Sequence, residues 1–477
     1  MKKATIIGAG LTGLTAGYYL KKAGWKVTIL EKDDRTGGAI HTYRQDGFIY
    51  ESGPNTGMIS HPEVAELFEE LGDMVEVEPA NEEAKRRLIW KEGRWHDLPS
   101  CMKAGIKTPL FSWRDKLRLL TEPFRKPGKN PDETLAQMVI RRMGKSFLEY
   151  AVDPFILGIY AGDPSQLVTR YALPKLYNLE QNYGSFIKGT FKKHAELIRE
   201  KKNDPELYNY HKKANKKMFS MSGGLDNLVN ALTAKFEEGE ILLGCHNINV
   251  CPANNNFTAK FDHHNETKMI DSDALITTTG AHEVPGILPF LREDEKQKIT
   301  NLIYAKVVQV AIGYKDWRGI PLKAFGGLVP SREHRDILGV LFLSAFLKNR
   351  APKGGALLSV FLGGVRNPEM VNLKDEEIKK LVFRELQKMM MVPDEEPDLF
   401  HIFRHTHAIP QYGISTGKRL EAVEEIQKHF PGLLLGGNLR DGIGMADRIK
   451  QGVTMARELD QIFDRNDKPQ NSETQQD

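Results

Sequence analysis

The chain has 477 residues, enough for two or three domains with sizeable cores, and its 40% apolar and 27% charged residues are those of a globular protein. A formal net charge of +4 is too small to argue for a nucleic-acid partner, and none is expected. Cys101, Cys245 and Cys251 show neither C-x-x-C nor zinc spacing, so they read as buried inert thiols of a reducing compartment, with no disulfide framework and no metal. No apolar run reaches 18 residues, so no spanning helix is expected. No signal peptide pattern precedes the first strand, and a cytoplasmic location follows as the expectation.

The chain opens with a complete βαβ pattern between Lys3 and Gly38. Ala4 to Ile7 reads as a buried parallel strand, Leu11 to about Ala23 as a helix, and Val27 to Leu30 as a second strand ending on Glu31. Gly8, Gly10 and Gly13 stand between strand and helix at the spacing G-x-G-x-x-G. Gly8 serves the tight turn. Gly10 lets a pyrophosphate approach the backbone, and Gly13 lets the helix pack close to the sheet. The helix N-terminus favours negative charge, and Glu31 is placed to accept the ribose hydroxyls of an adenosine. Arg35-x-Gly37-Gly38 then resembles the flavoprotein signature in which an Arg and two glycines pass the FAD pyrophosphate. Gly47-Phe48-x-x-Glu51-x-Gly53-Pro54-Asn55 resembles a loop that approaches the isoalloxazine in flavoproteins of the amine oxidase, phytoene desaturase and protoporphyrinogen oxidase superfamily, which share that signature. Both imply FAD rather than NAD.

Further along, His61 to Leu71 has helical spacing, with Val64, Leu67, Phe68 and Leu71 on one face. Arg87 to Trp90 and Arg94 to Leu98 read as a hairpin about Lys91-Glu92-Gly93. Trp113 to Leu120 and Leu135 to Met143 read as helices. Asp153 to Pro164, dense in Gly and Pro, reads as a buried irregular turn, a corner or a cavity wall. Phe191 to Lys217 carries nine Lys or Arg against four acids; a solvated helical face is the expected outcome, a nucleic-acid or anionic membrane surface the alternative. Leu225 to Phe236 is helical. Ile241 to Val250 and Phe257 to Phe261 read as paired strands, and Asp273 to Gly280 as the strand returning to the dinucleotide sheet. Val307 to Ile312, Gly339 to Leu343 and Ala356 to Gly363 are β-rich, interrupted by a helix from Lys374 to Met390. Leu433 to Met445 is a buried strand and Gly-rich turn that leads into a helix near Ala446. That helix N-terminus can face the flavin pyrimidine ring. The polar tail after Phe463 is expected to be disordered.

Several of these stretches together resemble the FAD-containing protoporphyrinogen oxidases, from Lys3 to about Gly452. The most specific are Gly158-Ile-Tyr-Ala-Gly-Asp-Pro164; Leu173-Pro174 with Glu180, Tyr183-Gly184-Ser185 and Gly189; Phe325 to Pro330; Leu338 to Phe342; Phe361 to Gly364; Ala408 to Tyr412; and Gly437-Asn438 with Gly442-x-Gly444. Departures are Leu173 where the family has Phe, Ser415-Thr416-Gly417 where Gly-His is common, and Arg448 where Cys often stands. The resemblance implies an α/β fold: a discontinuous Rossmann-like FAD domain (1–60, 218–285, 412–465), an α+β substrate domain (61–93, 286–411) and a helical, membrane-associating insertion (94–217), with 466–477 as the tail.

It also implies FAD contacts from Gly8, Ala9, Gly10, Leu11, Thr12, Gly13, Glu31, Lys32, Arg35, Gly37, Gly38, Ala39, Gly53, Pro54, Asn55, Ile248, Gly437, Asn438, Ile443, Gly444 and Met445. Leu328, Leu341 and Phe361 would contact a tetrapyrrole, and Arg86 would pair with a propionate; the first two are otherwise core residues, and Lys85 and Arg87 flank Arg86. The implied reaction removes six hydrogens from a porphyrinogen in three flavin rounds, with O2 as acceptor and no side chain obliged to act as a base. Protoporphyrinogen and coproporphyrinogen both fit, and so does another FAD oxidoreductase, an amine oxidase or carotenoid desaturase. A homodimer and peripheral contact with the inner face of the cell membrane are further expectations.

Overall fold

The computed structural model describes residues 1–253 and 256–467. The chain forms two compact units. The first comprises Met1–Gly38, Leu228–Asn301 and the chain from Lys418 onward; the second comprises Ala39–Asn227 and Leu302–Gly417. Residues 39–60, 218–227 and 412–417, read above with the dinucleotide domain, lie in the second unit, while 286–301 lie in the first. The hairpin Thr42–Gln45 and Phe48–Glu51 gives the reason: Phe48 and Tyr50 are buried with Ala311, Leu357 and Phe403 of the second unit. The helical stretch 94–217 is not set apart from that unit.

The first unit is built on a five-stranded parallel sheet. Its order is Ile241–Leu242, Lys26–Leu30, Lys3–Ile7, Ala274–Thr277, Leu433–Leu435. The strands read as apolar runs because both faces are covered. Helix Leu11–Lys22 follows the first strand, and helix Met445–Asp467 packs beside it: a Cβ on Gly452 would stand 2.7 Å from the Thr12 carbonyl oxygen. A three-stranded antiparallel sheet, His246–Ala253, Asn256–His263 and Glu266–Ser272, is inserted.

The second unit centres on a seven-stranded mixed sheet, in the order Leu399–Pro410, Tyr304–Tyr314, Ala356–Gly363, Gly339–Leu341, Gly326–Leu328, Arg87–Lys91, Arg94–Asp97. One face (Leu88, Trp90, Val308, Val310, Ile312, Val340, Leu358, Val360) is buried under Ile378, Val382, Leu386 and Met389 of helix Asp375–Met390. That burial is the main stabilising term here, about 25 cal/mol per Å² of apolar area removed from water.

The helical stretch is held by charge as well as apolar contact. Arg142 is fully buried and bonds Glu122 and Glu180, both also fully buried, and the Gly184 carbonyl at 2.9 Å. Arg141 adds bonds of 2.7 and 2.9 Å to Glu180. Ser185 Oγ donates to Glu122 at 2.6 Å and caps helix Phe186–Asn203. Burial would raise both carboxyls; the arginines and hydrogen-bond donors outweigh it and hold them below the usual carboxylate range. The Glu180…Tyr183-Gly184-Ser185 block is therefore an anchor of the fold.

Four expectations are corrected. Asp153–Tyr160 is a helix, not an irregular turn; Pro154 sits in its first turn, where a missing N–H costs little, and the left-handed bend waits until Ala161 (φ 45°). Ile241 to Val250 is two strands of different sheets, broken at Gly244 (φ 68°). The C-terminal helix runs past Phe463 to Asp467, and the remainder of the expected tail, 468–477, lies outside the described residues. Only Cys245 is buried; Cys101 and Cys251 are exposed.

Candidate functional site

In the first unit, Gly8 leaves the strand at φ 103°, and a Cβ there would meet Thr278 Oγ1 at 2.7 Å. A Cβ on Gly13 would lie 1.9 Å from the Gly8 carbonyl oxygen, so the helix can start this close only with glycine. A Cβ on Gly10, by contrast, would meet nothing within 4 Å. That open cradle lies at the start of helix Leu11–Lys22, whose N-cap offers no side-chain bond and whose first turn holds no acid. Leu11 and Thr12 are buried in that turn, leaving the backbone N–H groups to present the positive helix end.

Glu31 is 6% exposed, and its two oxygens accept the N–H groups of Ala9 at 2.7 Å and Asp33 at 3.0 Å. The carboxylate is thus oriented, with acceptor capacity to spare for ribose hydroxyls. Gly37 donates to the Ala9 carbonyl at 2.9 Å, and Arg35 donates to the carbonyls of Gly38 (2.7 Å) and Thr36 (3.2 Å), bracing the second glycine turn. Lys32 bonds Glu283 at the surface. Ile248 is half-buried where the register shifts between His246 and Asn249.

The second Gly-rich turn belongs to the same unit. Gly437 has φ 74°, and a Cβ on it would meet the Thr278 carbonyl oxygen at 2.6 Å. Gly444 N–H donates to Asp447 at 2.9 Å ahead of helix Met445–Asp467; Asn438 and Ile443 lie on the loop between. Arg448 donates to the carbonyls of Gly437, Arg440 (2.8 Å) and Gly442 (2.9 Å). A position read only as a departure from the family is therefore the staple of the loop. The open Gly10 cradle and the oriented Glu31 fit a dinucleotide, and the buried Thr279 Oγ1, without a hydrogen-bond partner, leaves a polar group for it.

In the second unit, Ala39 abuts Gly53, where a Cβ would stand 2.0 Å from the Ala39 carbonyl oxygen. Pro54 and Asn55 follow, and Asn55 Oδ1 is buried with no hydrogen-bond partner. Two side chains that the sequence did not single out hold this turn. Gln309 donates to the Glu51 carbonyl at 2.9 Å, and His405 Nε2 donates to the Ser52 carbonyl at 2.7 Å. The Glu51 carboxyl accepts from Leu225 N–H (3.0 Å) and Thr42 Oγ1 (2.7 Å), with Arg350 at 3.9 Å. Burial outweighs these partners and pushes it up to about 7.

The same unit brings Leu328, Leu341 and Phe361 onto one face of the seven-stranded sheet. Leu328 and Phe361 flank Gly339 in one register row, with Ile89 and Gln309 beyond; Leu341 and Arg87 flank Gly326 in the next. All three are half-buried, and each lies at the margin of a different apolar cluster. They form a floor where those clusters meet.

Arg86 does not reach this floor. It is exposed, bonds Asp97 at 2.5 and 3.1 Å and donates to the Lys323 carbonyl at 3.1 Å. Arg87 takes the position expected of it. Its guanidinium lies 5.4 Å over the Phe325 ring, burial lowers its pKa, and no carboxylate pairs with it among the described residues. The strand's period of two gives the reason: Leu88 and Trp90 point into the core, so Arg87 and Ile89 share the other face.

A glycine-turn dinucleotide sheet joined in one chain to a mixed-sheet unit defines the class: an FAD-dependent oxidoreductase. The chain belongs to the flavin containing amine oxidoreductase family, whose profile matches residues 11–459. Protoporphyrinogen oxidase 2 of Arabidopsis thaliana is 30% identical over 481 residues, covering 95% of this chain and 93% of that protein. Coproporphyrinogen III oxidase of Bacillus subtilis is 26% identical over 471 residues, covering 94% and 96%. A crystal structure from Exiguobacterium sp. 255-15 superposes with TM-score 0.79 at 23% identity, covering 96% of this chain and 99% of that one.

Proposed function

We propose that this chain oxidises protoporphyrinogen IX to protoporphyrin IX in haem biosynthesis, removing six electrons with O2 as the final acceptor. The observation that carries the reading is the unpaired, half-buried Arg87 beside the Leu328, Leu341 and Phe361 floor. FAD supplies two-electron oxidation, so six electrons take three cycles. The chain's part is to bind and orient. An anionic propionate leaving water needs a cation, and the planar Arg87 fork holds both carboxylate oxygens and so fixes the ring's angle. Leu328, Leu341 and Phe361 cover the macrocycle and exclude water. No side chain on this face is required as a general base: of the three protons that accompany three hydrides, two leave from pyrrole N–H groups and the third, from the fourth meso carbon, reaches a ring nitrogen by imine–enamine tautomerism.

An apolar floor beside the Arg87 guanidinium favours the substrate that bears vinyl groups where the other bears propionates. Coproporphyrinogen III, with propionates at two further positions, is the second reading, supported by the Bacillus relative. The test is a fluorescence assay of purified protein with each porphyrinogen, with and without O2. Faster porphyrin formation from protoporphyrinogen, dependent on O2, is expected. Preference for coproporphyrinogen would transfer the proposal to it, and turnover of neither would remove both.

We also infer peripheral contact with an anionic bilayer. No helix among the described residues is long and apolar enough to cross one. Helix Trp113–Leu120 exposes Trp113, Leu117 and Leu120 on one face, followed by Phe124, which is 83% exposed. Arg114 is exposed among them and Lys188 stands 5.5 Å over the Phe124 ring, while Lys116 and Arg118 turn to the carbonyls of Ile106, Thr108 and Ile140. Apolar anchors inside a basic rim suit lipid headgroups.

A further inference from the structure

The Tyr160-Ala-Gly-Asp-Pro164 stretch enters neither site above, yet it meets two other stretches at one guanidinium. Arg366 donates through Nε to Asp163 at 3.0 Å and lies 3.0 Å from it again through Nη2. Its Nη1 donates to Asp153 at 2.7 Å and also to Ser331 Oγ. Asp153 in turn accepts the Ser331 N–H at 2.8 Å and its hydroxyl at 3.1 Å. One fork thus joins the start of helix Asp153–Tyr160, the loop that follows it, and the segments leaving strands Gly326–Leu328 and Ala356–Gly363.

Those two strands carry Leu328 and Phe361, three residues before Ser331 and five before Arg366. The same helix leans on both. A Cβ on Gly158 would stand 2.6 Å from Leu328 Cδ2, so Leu328 lies against bare helix backbone. Leu157 and Ala161 share a cluster with Phe361 and Val365, and Val365 N–H donates to the Ala161 carbonyl at 2.9 Å. Any shift of the helix therefore moves the side chains of the floor.

We propose that Arg366 is a positioning residue for substrate selection: it fixes helix Asp153–Tyr160 against the sheet face that carries Leu328 and Phe361. It thereby sets how much room a tetrapyrrole's edge substituents have. This rests on the reading of that face as the substrate surface. A lysine can replace the guanidinium only in part, since three nitrogens reach Asp163, Asp153 and Ser331 and one ammonium cannot hold all three in the same geometry. A cavity of about 270 Å³, lined in part by Asp153, Asp163, Ser331 and Arg366, adjoins the knot. It gives a free guanidinium ion access once the side chain is shortened.

The test uses FAD-loaded Arg366→Ala and Arg366→Lys. Arg366→Ala is expected to raise KM about tenfold with kcat changed far less, as loss of charge-assisted bonds on a positioning group predicts, and to alter the kcat/KM ratio between the two porphyrinogens. FAD absorbance should be unchanged. Millimolar guanidinium chloride should restore KM in Arg366→Ala, and Arg366→Lys should recover part of it. Hydrogen exchange should quicken in 153–163. An unchanged KM and ratio, or equal loss of both parameters without rescue, overturns the proposal. Should Arg366→Ala fail to fold, Asp163→Asn removes one arm only; an unmoved KM there overturns it equally. If the wild-type protein turns over neither porphyrinogen, the substrate reading fails, while unchanged exchange in Arg366→Ala overturns the positioning role by itself.

Discussion

Arg87 carries a charge that no carboxylate among the described residues answers, whereas Arg86 is bound to Asp97 in water. Arg87→Ala is therefore expected to raise KM for the porphyrinogen about 10- to 100-fold, the equivalent of a charge-assisted hydrogen bond, with FAD content normal. Arg86→Ala should stay within about twofold, since an exposed pair is worth ~1 kcal/mol or less and touches no substrate. Steady-state kinetics decide; a silent Arg87→Ala removes the propionate site from this strand. Glu51 makes a pH prediction. The folded state binds its proton up to about pH 7, the unfolded chain only to about 4.3, so its stabilising contribution is complete below the lower value and is lost as pH rises through the upper one. Between pH 4 and 8 the wild-type protein should lose roughly 3 kcal/mol more than Glu51→Gln in denaturant melts; parallel profiles would contradict this. The glycines and Glu31 were legible in the sequence because each answers a local backbone need. Arg87 was not, because in Lys85-Arg86-Arg87 the choice of face depends on where the strand begins. Gln309 and His405 were hidden because their partners lie hundreds of residues away.

Helix Trp113–Leu120 is closed by a capping box between Ser112 and Asp115, so its exposed apolar stripe is presented by a formed helix. Each large side chain that leaves water for lipid contributes ~1.5–3 kcal/mol. The protein is expected to sediment with vesicles containing phosphatidylserine, and Trp113→Ala combined with Leu117→Ala and Leu120→Ala should abolish this without changing FAD absorbance. Equal sedimentation of the variant would show that the anchor lies elsewhere. Elements with clear periodicity and caps, such as this helix and Leu135–Arg142, could be read from sequence to within a residue or so. Asp153–Tyr160 could not, since a proline in a first turn and a glycine facing Leu328 look like breakers until their neighbours are known.

At the scale of the molecule, FAD bound at 100 times its Kd stabilises the folded chain by about 2.7 kcal/mol. Stripping it should lower Tm, and Glu31→Ala should shrink the gap between the two forms by weakening retention; an unchanged gap with full flavin occupancy would clear Glu31 of the role. The discontinuity of the units was visible in the returning strand at Ala274–Thr277, whereas the exact partition, which turns on Phe48 and Tyr50 packing at the far sheet, was not. The parallel sheet of the first unit takes its edge strand, Leu433–Leu435, and the helix packed at Gly452 from the end of the chain. On a ribosome adding ~5–20 residues per second, the strand Lys3–Ile7 emerges long before these do, and the flank of Ala274–Thr277 stays bare until they follow. The second unit, by contrast, is fully synthesised by Gly417. The nascent protein thus carries an open strand edge until Leu433–Leu435 is made, and a chain stopped at Phe430 should be held by chaperones or aggregate rather than take up flavin.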